Sequence, residues 1–240
     1  RRPAAAAAAA ASASPAAATL VIDVGAHSLK LGAATSAAPI VATNAVVRSR
    51  NLRKSFVGAD FDHSCTDFGE LSFSRPHDNG YCVNWKLEAK IIAASTATNN
   101  YSHLLLTQPP FTPASLRQNM YEVVFEKFSM QSLFSAPAAV FIDFLHRYEQ
   151  RATASDSGGG GGGGGGSAGD LLSPLSVIVD CGHSFTYVVP VFDGRPIAAA
   201  IRRVDVGGKL LTNYMKEVLA PKLDGAEDET DLVSHIVSSC

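Results

Sequence analysis

Residues 177–189 read VIVDCGHSFTYVV. An apolar run ends in Asp180, Gly182 permits a turn, and a second apolar run returns, which is the pattern of a β-hairpin with an acid near its tip. Residues 19–32, TLVIDVGAHSLKLG, repeat that pattern, with Asp23 and Gly25 in the places of Asp180 and Gly182. The copies lie too far apart for a short solenoid period and read as equivalent hairpins opening two related domains. Two chemistries fit such a pair. A turn of small residues can aim successive N–H groups at a phosphate, while an acid at the strand end holds a hydrated magnesium ion. Alternatively both are ordinary turns, with the glycines supplying positive φ.

Composition narrows the field. The chain has 240 residues, a net charge of -2 and a pI near 6.4. It therefore carries no basic field for nucleic acid. No apolar run approaches the ~20 residues that span a bilayer, so no membrane role is expected. The cysteines (Cys65, Cys82, Cys181 and Cys240) form no CxxC pair and have no histidine at zinc-ligand spacing. They read as reduced intracellular thiols.

Two segments fall outside any fold. Residues 1–18 are an alanine-rich leader, expected to be disordered. Residues 151–174 contain nine consecutive glycines, Gly158–Gly166, and read as a disordered insert. The expected organisation is a first domain over 19–150 and a partial second domain over 175–240.

Between the hairpins, Leu104–Leu106 reads as a buried strand and Thr112 as the N-cap of a helix with Pro113 at its first position. Leu116, Met120, Val123, Val124 and Phe128 form that helix's inner face. Ser132–Ala136 reads as a strand, followed by a helix carrying Val140, Phe141 and Phe144. After the second hairpin, Ala198–Val206 reads as a strand and Gly207–Gly208 lead into a helix through Leu211, Tyr214, Met215 and Val218. Hairpins followed by strand–helix alternation indicate an α/β architecture.

At this point the paired hairpins resemble the two phosphate motifs of the actin, hexokinase and heat-shock ATPase fold. Residues 80–92 (GYCVNWKLEAKII), 104–128 (LLLTQPPFTPASLRQNMYEVVFEKF) and 201–219 (IRRVDVGGKLLTNYMKEVL) are similar to the actin branch, and within it to the actin-related protein 6 group. The resemblance implies an actin-like two-domain α/β fold, with the second domain incomplete. It also implies that the adenosine motif would follow Cys240, as in a chain cut off within its second domain. Apolar segments such as Val177–Val179 and Val188–Val191 would then lose cover, so low stability is expected.

The resemblance maps a phosphate site residue by residue. Asp23, Gly25, Lys30 and Gly32 match the family's acid, glycine, phosphate-facing lysine and closing glycine, and Asp180, Gly182 and Thr186 match the second motif. Asp23 and Asp180 would hold magnesium through water, with ATP as the implied cofactor. Departures are concentrated in the same place. His27 and Ser184 replace glycines, Ala26 replaces a phosphate-binding serine, Tyr187 replaces a histidine, and Ala138 stands where the family has a water-orienting glutamine. A methyl group orients no water, so no catalysis is expected. Residues 48–75 do not resemble the loop that grips the next subunit in actin filaments, so no filament is expected.

The resembled group implies a nuclear, non-catalytic scaffold subunit of an ATP-dependent chromatin-remodelling complex that exchanges a variant histone into nucleosomes. Its implied partners are the large remodelling ATPase, a small zinc-containing subunit and histones. The alternative is a nucleotide-binding conformational switch with little or no hydrolysis.

Overall fold

A computed structural model describes residues 18–156 and 173–219. The leader, most of the glycine-rich insert and the stretch after 219 lie outside the described residues.

The chain begins with β1 (Thr19–Val24), β2 (Ser28–Ala33) and β3 (Ile40–Thr43), followed by β4 (Val46–Ser49), β5 (Lys54–Val57), α1 (Ala59–Ser64) and β6 (Leu71–Ser74). Next come β7 (His77–Asp78), β8 (Tyr81–Cys82), α2 (Trp85–Ser95), β9 (His103–Thr107), α3 (Ala114–Glu122), β10 (Ser132–Ala136) and α4 (Ala138–Asp156). The second part holds β11 (Leu175–Cys181), β12 (Thr186–Phe192), β13 (Arg195–Pro196), β14 (Arg202–Val204) and α5 (Gly208–Leu219).

The first sheet has the order β10-β9-β1-β2-β3. Its β1–β2–β3 meander is antiparallel, whereas β9 joins β1, and β10 joins β9, in parallel. Parallel pairs need a crossover, and α2 and α3 supply it. Alternation in β1 turns Leu20, Ile22 and Val24 inward, where the register sets Leu20 beside Leu104 and Ile22 beside Leu106. Trp85, Ala89 and Ile92 of α2 and Met120 of α3 close over them in one core. Each large aliphatic side chain so buried contributes about 1.5–3 kcal/mol.

Local details correct the sequence reading. Thr112 caps no helix; its hydroxyl donates to the Pro109 carbonyl, and Pro113 is the N-cap without a side-chain bond. α3 widens into a π turn over Val123–Lys127, which keeps Val123 and Val124 buried. α4 continues to Asp156 rather than stopping at the insert, because Arg151 and Ala152 sustain a helix. Its predicted inner residue Phe144 is 70% exposed, and the side chains turned inward are Ala139 and Asp143. Residues 198–206 hold a 3₁₀ turn and only the short β14, with Ile201 turned inward between them.

Residues 48–75 are not an extended loop. β5, β4 and β6 form a small sheet beside α1, and Phe61 meets Phe56, Phe68 and Phe73 edge-on. Among the described residues no helix is long and apolar enough to cross a membrane.

The second sheet pairs β11 with β12, and β12 in turn carries β13 and β14 along its other side. One face is closed: Tyr187, Val189, Val191 and Ile201 pack with Ala139 of α4. α4 is also tied to the start of this sheet. Asp143 accepts from Arg147 at 2.8 Å and from the Ser176 hydroxyl, and Arg147 donates to the Pro174 carbonyl. The boundary expected at 150 therefore falls inside a helix that packs on the second sheet. Among the described residues nothing closes the opposite face, and Val177 and Val179 are 58% and 59% exposed. Of the segments expected to lose cover, Val189 and Val191 of β12 are buried.

Candidate functional site

The two hairpins share one register. Asp23 lies opposite Lys30 in β1–β2, and Asp180 opposite Tyr187 in β11–β12. Their tips face each other across a cleft of about 390 Å³ lined by residues of both, including Asp23, Gly25, Lys30, Asp180 and Gly182. Of the expected site residues, Thr186 and Gly32 are not in that lining. The Thr186 hydroxyl donates to the Val206 carbonyl at 2.8 Å and serves the turn before α5.

Neither Gly25 nor Gly182 adopts the positive φ of the ordinary-turn alternative, and their role is steric. A Cβ at Gly25 would lie 2.6 Å from the Ser28 carbonyl oxygen, and one at Gly182 would lie 3.1 Å from that of Phe185. Equivalent positions thus meet equivalent carbonyls, and glycine is what lets both turns close. Gly207 meets the same backbone from outside, where a Cβ would come 2.6 Å from the His183 carbonyl oxygen. That close approach lets Gly208 and Lys209, at the start of α5, donate to the carbonyls of Gly182 and His183.

Charges converge between the tips. Lys30 Nζ contacts Asp23 Oδ2 at 3.2 Å, and the Thr107 hydroxyl donates to Asp23 Oδ1 at 2.6 Å. Burial and the Asp23 charge push the Asp180 carboxyl above its ordinary range, opposed by Lys30. Two carboxylates sharing one cation suit a hydrated divalent ion. The tips themselves carry histidines, with the rings of His27 and His183 4.8 Å apart. Burial, then electrostatic contributions from His27, Arg75 and Lys209, hold His183 down to about 4. It is therefore neutral at pH 7 and offers no charge to an anion. Ala138, first residue of α4, presents its methyl to the same cleft. A loop of the first sheet's half reaches the second hairpin at Gly80, where a Cβ would come 2.8 Å from the Phe185 ring.

An actin family profile matches residues 14–226. The chain belongs to the actin family. Similar curated relatives include actin-like protein ARP6 of Cryptococcus neoformans, 30% identical over 92% of this chain and 43% of that protein. Actin-related protein 6 of Neurospora crassa is 31% identical over 91% and 49%, and that of Dictyostelium discoideum 30% identical over 90% and 45%. The chain spans about half the length of the curated relatives it matches. The actin-like α/β fold and the similarity to actin-related proteins 6 are as the sequence motifs indicated. What sequence reasoning missed in this actin-family cleft is the histidine pair. His27 was visible only as a replaced glycine, and no local signal places His183 against it.

Proposed function

We propose that this chain is a non-catalytic scaffold subunit of a nuclear chromatin-remodelling complex that exchanges a variant histone into nucleosomes. Its partners there are the large remodelling ATPase and a small zinc-containing subunit, with histones nearby. The observation that carries the non-catalytic part is Ala138. At the cleft between Asp23 and Asp180 there is a methyl group where a hydrolytic member of the fold needs a polar side chain to align water. The kinship to relatives named actin-related protein 6 supports the complex and its location.

A second reading is a nucleotide-binding conformational switch, favoured by the convergence of Asp23, Lys30 and Asp180. Those three residues fit magnesium and a phosphate. Magnesium would neutralise phosphate charge, Asp23 and Asp180 would hold its water shell, and Lys30 would turn from Asp23 to an anion.

The test has two parts. The tagged protein is expected to co-purify with the remodelling ATPase and to release no phosphate from ATP above buffer. Phosphate release at turnover rates, or failure to co-purify, would overturn the scaffold. A thermal shift with MgATP that Asp180→Ala abolishes, together with co-purification that depends on ATP, would favour the switch.

A further inference from the structure

A second cluster of chemistry-bearing side chains lies outside the cleft. β7 and β8 form a two-stranded hairpin closed through Gly80 at φ 76°, and its register sets His77 opposite Cys82. The chain then enters α2, capped by Asn84, whose first turn presents Glu88 to the same point. His77 Nδ1 lies 3.6 Å from Glu88 Oε2, and Cys82 Sγ lies 3.9 Å from that same oxygen. The three ligand atoms all fall within 4.8 Å of one another. The His77 and Glu88 side chains are 3% and 0% exposed, and His77 Nδ1 has no hydrogen-bond partner.

From this geometry we infer that His77, Cys82 and Glu88 form a zinc site that locks the β7–β8 hairpin to α2. Imidazole, thiolate and carboxylate are the ligand types zinc takes, and tetrahedral bonds of about 2.0–2.3 Å set ligand atoms roughly 3.3–3.8 Å apart. Two of the separations are already close to that range, and the third requires a contraction of at most about 1 Å. A cavity of about 20 Å³ touches both His77 and Cys82, which is room for one water as fourth ligand. The cavity is lined also by Met120 and Trp85, and by Arg117.

Outer contacts hold the carboxylate in place. Asn44 Nδ2 reaches both Glu88 oxygens, at 3.2 and 3.1 Å, and donates to the Gly25 carbonyl at 2.9 Å. A metal here would therefore also stiffen the first hairpin's turn. Without metal, burial raises Glu88 to about 7, raises the Cys82 thiol, and lowers His77 to about 4. Binding displaces one proton from the thiol and the proton of a protonated carboxyl, both released to solvent. The Arg75 charge, which reaches His77, opposes the cation and makes the thiolate and carboxylate charges necessary.

The test is Co²⁺ titration of the chelator-stripped protein in a Cys65→Ser, Cys181→Ser, Cys240→Ser background. One equivalent is expected to produce a thiolate-to-cobalt absorption with four-coordinate visible bands, and zinc to bleach both. Glu88→Gln and Asn44→Ala should each weaken binding at least about tenfold, and Cys82→Ser should abolish the ultraviolet band. Absence of that band at saturating Co²⁺ overturns the site, as does its survival in a folded Cys82→Ser protein. If Cys82→Ser does not fold, the parent spectrum and the Glu88→Gln affinity decide.

Discussion

Tyr187 stands opposite Asp180 in the register position that Lys30 holds opposite Asp23. The duplicated hairpins have thus diverged in the partner of their acid: one carboxylate has a cation beside it in its own hairpin, the other a phenol. Burial keeps the Tyr187 phenol above its ordinary pKa, so it offers no charge to the acid opposite.

The consequence for Asp180 is measurable. A carboxyl whose folded pKa is raised binds its proton more tightly when folded than unfolded. Stability is therefore lower above that pKa and recovers as pH falls through it. Asp180→Asn removes the ionisation, so it is expected to raise the thermal midpoint at pH 7. The gain should shrink toward pH 4 in differential scanning calorimetry. An equal or lower midpoint at pH 7 would show that Asp180 carries no penalty.

His183 gives the opposite slope. Its folded pKa near 4 lies below the ordinary 6.5, so between those values the unfolded chain binds more protons and stability rises with pH. The contribution is full above pH 6.5 and lost as pH falls toward 4. Because the ring is partly solvated, screening reduces the effect to about 1–2 kcal/mol. His183→Gln should flatten that part of the urea-denaturation profile, and an unchanged slope would assign it to other groups.

Both hairpin turns can be compared by one substitution. Gly25→Ala drives a methyl into a carbonyl oxygen at 2.6 Å, while Gly182→Ala meets one at 3.1 Å. The expected costs are roughly 2–4 kcal/mol for the first and about 1 kcal/mol for the second. Equal urea midpoints for the two variants would refute the steric account.

Asp143 links α4 to the second sheet from a position that is 1% exposed. Asp143→Ala leaves Arg147 and Ser176 without their acceptor and is expected to cost about 3 kcal/mol. Asp143→Asn keeps one acceptor oxygen for the two donors and should cost less. Chemical denaturation monitored at far-UV wavelengths separates the two, and identical losses would mean that the charge, which both variants lack, carries the link and the retained oxygen adds nothing.

The sequence by itself determined the α/β class, the two acid-glycine hairpins, the strand at 104–106 and the starts of the helices near 114, 138 and 208. These are local properties: period-two alternation, apolar spacing at helical period, the fixed φ of proline and the backbone freedom of glycine. It also showed which cleft residues depart from the actin pattern, because a motif is a local object.

Only the tertiary structure decided the rest. That α4 buries Ala139 and Asp143 while Phe144 faces out depends on which sheet lies beneath it. A helix's own periodicity identifies an apolar side without saying what covers it. The same holds for Thr186, whose hydroxyl bonds the Val206 carbonyl, and for the His27–His183 pair, whose members belong to different sheets. His77, Cys82 and Glu88 form no recognised ligand spacing; a hairpin register and the first turn of a helix bring them together. Such a convergence is a property of packing and has no counterpart in the local pattern of the chain.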